Sequence, residues 1–147
     1  MRSWVKKILI VIVALFIVAS FTVWYIFNEK FTDTQKVDAE FKVEAQNFIK
    51  EFTQNDTTAN KKYVEKIISV KGAVSEIEMV DSIVNVKMID TTTDAYIIFA
   101  FQDAEMKKAK LLKEGEKVTI KGSCSGGAYS EILEAEFINF KRCVITK

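Results

Sequence analysis

The sequence has no histidine, no proline, and only two cysteines, Cys124 and Cys143, among its 147 residues. Without histidine there is no imidazole to act as a base near neutral pH. Serine or cysteine triads and the commonest zinc ligand are missing for the same reason. Two thiols alone make a poor transition-metal site, so no metal and no cofactor is expected. Charge of one sign is also scarce: 21 Lys and Arg face 20 Asp and Glu. A phosphate loop is missing too. The glycine-rich run Gly122-Ser123-Cys124-Ser125-Gly126-Gly127 lacks the Gly-Lys-Ser/Thr ending and the following helix that a Walker loop requires. It reads as a flexible turn between the last two strands.

What the sequence does have is one long apolar block. From Ile8 to Phe27 there is no charge, no Gly and no Pro, and only Ser20 and Thr22 are polar. At about 1.5 Å of rise per residue a helix of this length crosses a hydrocarbon core of roughly 30 Å. In lipid every backbone polar group must be paired within the segment, which selects a helix. Trp4 on one side and Trp24 and Tyr25 on the other suit the headgroup level, and Arg2, Lys6 and Lys7 keep the short N-terminus in the cytoplasm. The rest of the chain is then exported. Setting those three residues aside, it carries 18 basic and 20 acidic residues, a formal charge of −2. That balance gives no general attraction for nucleic acid or anionic lipid. The competing reading is a signal peptide cleaved near Val18-Ala19-Ser20, but the apolar run continues through Phe21–Phe27. Both readings place the remainder outside the cytoplasm.

Beyond the block, Val37, Phe41, Ala45, Phe48 and Phe52 recur at helical spacing. They predict an amphipathic helix, capped by Asp33 or Thr34, that packs on the following domain. Asn55 or Asp56 restarts a short helix through Ala59, Asn60 and Tyr63. From Lys66 the period becomes two. A long first strand carries Ile68, Val70, Val74, Ile77 and Met79, with a slip after Gly72 that marks a bulge or bend. A second strand carries Val84, Val86 and Met88, and a third Ile97, Phe99 and Phe101. Asp103 opens a helix over 104–113, with Gly115 placed to stop it. A fourth strand holds Val118, Ile120, Gly122 and Cys124, and a fifth runs from about Glu134 to Ile145. Three strands, a helix and two strands is the order of a five-stranded OB-type Greek-key barrel, a mainly β fold. The expected organisation is therefore a cytoplasmic tip and anchor over 1–27, a helical linker over 28–58, and an OB-like domain over 59–147.

Two runs sharpen this. Ala59-Asn60-Lys61-Lys62-Tyr63, Lys66 and Ser69-Val70-Lys71-Gly72-Ala73-Val74 form one. Gly115-Glu116-Lys117-Val118-Thr119-Ile120-Lys121-Gly122-Ser123-Cys124-Ser125-Gly126, followed later by Cys143-Val144-Ile145, forms the other. Together they resemble the tRNA_anti-like OB-fold family of bacterial envelope proteins over residues 59–145. One departure is Glu65, where the family usually has glycine before the lysine. The resemblance implies an OB-type barrel behind a signal peptide or anchor, here in the bacterial inner membrane. It implies little about activity, because a fold is not a function.

In an oxidising compartment, Cys124 and Cys143 on neighbouring strands are candidates for a disulfide; the alternatives are buried free thiols or a reactive nucleophile, which lacks an activating histidine. Glu131, Glu134 and Glu136 at alternating positions read as a solvated face. Lys107, Lys108, Lys110 and Lys113, mixed with Asp103, Glu105 and Glu114, read as ordinary surface. OB barrels bind through the outer face of strands two and three and the adjoining loops. With Ile97, Phe99 and Phe101 pointing inward, Tyr96 points out near Asn85 and Lys87, and Tyr129 falls in the loop before strand five. These four are the candidate binding residues. The expected role is a non-enzymatic, membrane-tethered binding module for a protein segment or an envelope glycan. A second reading is a structural accessory subunit that uses the transmembrane helix and the Val37–Phe52 stripe. A single-stranded nucleic-acid binder is a third, disfavoured by the lack of positive charge.

Overall fold

A computed structural model describes residues 2–27 and 33–146. The chain divides into two compact units, Met1–Asp33 and Thr34–Lys147. The first holds one helix, α1 (Arg2–Phe27). Its segment Ser3–Ile26, 24 residues with mean hydropathy 2.7, is long and apolar enough to cross a membrane, and none of it is buried within the protein. Phe16 and Ile17, at 75% and 63% exposure, need a non-aqueous neighbour. Thr22 Oγ1 donates to the Val18 carbonyl at 2.8 Å, so the hydroxyl inside the apolar stretch is satisfied within the helix.

The second unit contains β1 (Phe41–Glu44), α2 (Ala45–Gln54), α3 (Asp56–Tyr63), β2 (Ile67–Ala73), β3 (Glu76–Val80), β4 (Ile83–Ile89), β5 (Tyr96–Phe101), α4 (Asp103–Ala109), β6 (Lys117–Ser130) and β7 (Ala135–Thr146). The strands form one sheet in the order β1-β2-β6-β7-β5-β4-β3. The predicted five strands are seven, and the sheet is not closed by hydrogen bonds. One reason lies at Val74–Ser75, where the expected first strand breaks in two. Val74 N–H donates to Glu116 O at 2.9 Å, beside β6, whereas Ser75 N–H donates to Lys87 O at 2.8 Å, on β4. Consecutive amides thus serve neighbours on different parts of the sheet. Because β2 and β3 lie far apart in strand order yet only two residues apart in sequence, the sheet must roll.

The other added strand is β1, which pairs in parallel with β2. It takes the first half of the predicted amphipathic helix, because Phe41 and Val43 turn inward while Lys42 and Glu44 face solvent, a period of two. Helix α2 begins only at Ala45, and no side chain caps it. Thr34, expected with Asp33 as a cap, is instead buried in a turn. The restart at α3 follows the sequence pattern: Asn55 Oδ1 accepts from Thr58 N–H at 2.9 Å.

Phe48, Phe52 and Tyr63 from this helix pair are buried. Phe48 packs against Phe140 of β7 with ring centroids 5.7 Å apart, and Phe99 of β5 lies 5.0 Å from Phe140. The helices reach the sheet because β6 has no side chain at Gly126 and Gly127. A Cβ on Gly127 would fall 2.6 Å from Phe52 Cδ1, and one on Gly126 would fall 2.7 Å from Asn60 Oδ1. The Asn60 amide uses that opening. Its Nδ2 donates to Gly127 O, and its Oδ1 accepts from Gly127 N–H, both at 2.9 Å. Ala59, Asn60 and Tyr63 therefore form the surface that docks α3 on β6.

Three further expectations change. The run 122–127 lies inside β6 and is not a flexible turn; the hairpin turns at 131–134. Its irregularities are register shifts between Lys121/Ser123 and Cys124/Gly126. Helix α4 ends at Ala109, short of Lys113, and Gly115 (φ +83°) serves the turn into β6. Glu65 keeps the left-handed conformation that glycine adopts at no cost, with φ +64°. Replacing Glu65 with Gly is therefore expected to raise stability by about 0.5–1 kcal/mol in denaturant titration. In the same assay Gly127→Ala is expected to cost about 1–3 kcal/mol, because the added methyl meets Phe52.

Candidate functional site

The register of the rolled sheet fixes which side chains share its outer face. On β4, Val84, Val86 and Met88 are buried, so Asn85, Lys87 and Ile89 point outward; on β5 the same alternation turns Tyr96, Ile98 and Ala100 out. Three rows cross the strands. Glu78, Asn85 and Ala100 form one, and Glu76, Lys87, Ile98 and Asn139 another. Ile89, Tyr96, Phe137 and Ala128 form the third. Tyr96 and Phe137 are stacked, with centroids 6.4 Å apart and planes 28° from parallel.

Lys87 sits in the middle of this face with its side chain only 17% exposed, and two carboxylates hold it. Its Nζ lies 2.6 Å from Glu78 Oε1 and 3.2 Å from Glu76 Oε2. The ammonium is also 5.8 Å from the centre of the Tyr96 ring. Burial alone pulls the lysine pKa down, but the hydrogen bonds to Glu78 and Glu76 outweigh it and hold the group above its ordinary range. The cation is permanent, yet two acids more than cancel it. This cluster has no positive charge left for an incoming phosphate.

Of the sequence-predicted residues, Asn85, Lys87 and Tyr96 come together. Tyr129 does not join them. It lies within β6, opposite Glu136, one residue from Ala128, and so occupies the other side of the sheet. Phe137 and Asn139 were missed. The adjacent apolar residues of 137–145 gave no clear alternation, reading Glu136 as solvated turned Phe137 inward, and adjacency to Tyr96 and Ile98 depends on the parallel β5–β7 pair, which no local pattern reports.

Cys124 and Cys143 are both free and buried. The register explains why they do not bridge. Cys124 pairs with Phe140, while Cys143 lies beside Gly122, two residues back along β6; an offset of about 7 Å along the strands, added to the spacing between them, exceeds the Cα separation a disulfide spans. Burial pushes the Cys124 thiol up to about 11 and the Cys143 thiol higher still. Glu136 is likewise not part of a solvated face. It is 8% exposed, its Oε1 has no hydrogen-bond partner among the described residues, and burial, with the charge of Asp56, raises its carboxyl above the usual range. Among the described residues no three His, Cys, Asp or Glu side chains converge as a metal site would need.

Alkylating agent is expected to leave both thiols untouched in the native protein and to modify both after denaturation without reductant; a species protected until reduced would contradict the register. For Glu136, a pKa raised in the folded state means that folding binds a proton. Its stabilising contribution is present at low pH and is lost as pH rises through the folded value. Glu136→Gln is therefore expected to be more stable than the parent at neutral pH, on the order of 1–2 kcal/mol, with the difference shrinking in acid.

A family model, tRNA_anti-like, matches residues 1–135. Among solved structures, a candidate nucleic acid-binding lipoprotein from Klebsiella pneumoniae subsp. pneumoniae MGH 78578 shares the fold, with a TM-score of 0.57 and 22% identity. The match covers 71% of this chain and 91% of that one. OBody AM3L09, solved bound to hen egg-white lysozyme, gives a TM-score of 0.44 at 16% identity, over 58% of this chain and 86% of that one. Asparaginyl-tRNA synthetase from Pyrococcus horikoshii gives 0.39 at 15% identity, over 58% of this chain and 21% of the enzyme. No curated protein matches the chain.

Proposed function

Because this chain belongs to the tRNA_anti-like family, we propose that it is a non-enzymatic OB-type binding module, tethered to the bacterial inner membrane by α1 and held on the extracytoplasmic side. Its binding surface is the outer face of β4, β5 and β7, and its ligand is an uncharged stretch of envelope glycan. The observation that carries this reading is the pairing of Lys87 with Glu76 and Glu78 beside the stacked Tyr96 and Phe137 rings. An aromatic face whose central cation is already held by two acids, with the amides of Asn85 and Asn139 in adjacent rows, suits a ligand that stacks and takes directional hydrogen bonds without contributing negative charge. No histidine is present, and both thiols are held protonated by burial, which supports a role without covalent or acid–base chemistry.

An extended protein segment is the second reading, favoured by Met79 and Val80, which stand 65% and 54% exposed at the end of edge strand β3. Nucleic acid is the third, because the Klebsiella lipoprotein is described as a candidate nucleic acid binder. A single strand requires cations along the path of its backbone, and of the two lysines on this face Lys87 is already claimed by two acids, which leaves Lys141 alone.

Titration of the full chain in detergent micelles with a neutral cell-wall oligosaccharide, a peptide and an oligonucleotide separates these ligands. The glycan is expected to shift Tyr96 and Phe137 resonances with little dependence on salt, and Tyr96→Ala is expected to weaken binding about tenfold. Tight oligonucleotide binding that falls steeply with salt would refute the reading. For the topology, alkaline phosphatase fused after Lys147 is expected to be active in intact cells, and an inactive, stable fusion would place the domain on the wrong side.

A further inference from the structure

Between α4 and β6 the chain reads Lys107-Lys108-Ala109-Lys110-Leu111-Leu112-Lys113. Buried Ala109 and half-buried Leu112 hold this turn to the core, while all four lysines face solvent. Leu111 stands among them 79% exposed. Lys108 pairs with Glu105 at 2.7 Å, and the same carboxylate oxygen accepts from Gln35 Nε2 at 2.8 Å. Lys121 Nζ donates to the Gln35 and Val37 carbonyls at 3.2 and 2.8 Å. The place where the chain leaves the folded unit toward its N-terminal helix is thus fastened to α4 through Glu105 and to β6 through Lys121. The spacer to the end of α1, residues 28–33, spans only about 20 Å even fully extended.

We propose that this turn rests on an anionic lipid surface, with Lys107, Lys110 and Lys113 against headgroup phosphates and Leu111 entering the interface. The inference depends on α1 being the membrane anchor. Charge selects this turn over the other exposed apolar tips: Met79 and Val80, 65% and 54% exposed, lie between Glu78 and Asp81. Ile132 and Leu133 are 94% and 61% exposed at the β6–β7 hairpin, but Glu131 and Glu134 flank them and oppose an anionic surface. Near the lysine turn Glu105 takes Lys108, and Glu116 accepts the Lys113 backbone N–H at 3.0 Å; Asp103, Glu114 and Glu116 then stand against Lys107, Lys110, Lys113 and Lys117, a local excess of one positive charge. A lysine close to an anionic bilayer contributes about fivefold to partitioning, so three together give roughly a hundredfold. The short tether lets a patch this modest act, because it keeps the local concentration of lipid high.

The test uses the full chain in vesicles of phosphatidylcholine alone or in equal parts with phosphatidylglycerol. An environment-sensitive thiol dye is placed at Leu111→Cys; the native thiols are buried and do not compete. The dye is expected to shift to the blue and resist aqueous quencher only in the anionic vesicles. High salt is expected to reverse this, and Lys107, Lys110 and Lys113→Gln to lower the docking equilibrium constant about a hundredfold. A water-like signal from Leu111 in both lipids, or a blue shift from a dye at Ile132→Cys with none from Leu111, overturns the inference. Flotation with the vesicles reads the anchor separately. A chain that floats with Leu111 in water refutes only the docking, whereas a chain that does not float refutes both.

Discussion

The fold depends on one peptide step at which a strand changes partners. Val74 gives its amide to the β6 side and Ser75 gives its amide to β4. A flat sheet cannot satisfy both, since β2 and β3 lie far apart in strand order while the chain joins them directly. Rolling the sheet is the solution, and it has two faces. The inner face gathers Val70, Val86, Phe99, Ile120 and Phe140, all essentially inaccessible to water. The opening is covered by α2 and α3, whose Phe48, Phe52 and Tyr63 join the core, with Phe52 lying against the bare backbone of Gly127 and Asn60 against that of Gly126. The outer face of the same strands is then the surface available for recognition.

That surface gets its character from a second constraint, the charge balance around Lys87. An OB-type face with a free lysine beside an aromatic pair would suit a nucleic-acid strand. Here Glu76 and Glu78 on edge strand β3 project from positions opposite and diagonal to Lys87 and hold its ammonium. The same pairing that completes the sheet takes up the one cation at its exposed centre. What remains is a stacked Tyr96–Phe137 pair with amide neighbours, a surface whose affinity rests on ring contact and hydrogen bonds and hardly on ionic strength.

Much of this was legible in the residues. The uninterrupted apolar block gave α1, the alternation in 84–88 and 96–101 gave β4 and β5 with the right inward faces, and Asn55 gave the α3 cap. The failures have physical causes. Phe41 and Val43 satisfy a helical stripe and a two-residue alternation equally well, and only the parallel edge of β2 decides between them. Glycines 122, 126 and 127 look like a loop because they lack side chains, yet they are bare so that Cys143, Asn60 and Phe52 can approach. Tyr129 was placed with Tyr96 because its loop was misplaced; inside a strand a one-residue difference reverses its side. The cysteine bridge failed by register, since neighbouring strands do not by themselves bring two particular residues opposite each other. Glu65 shows the converse. Where the family usually has glycine, Glu65 holds φ +64° itself, and the cost is borne locally.

Amide hydrogen exchange of the full chain in lipid nanodiscs, resolved at Val74 and Ser75, tests the partner change most directly. Both amides are expected to exchange only through global unfolding, with the same protection as Val70 and Val86 in the strands on either side. Rapid exchange at Ser75 beside a protected Val70 would mean that β3 and β4 form a separate hairpin, and the rolled sheet with its outward Tyr96 face would not stand.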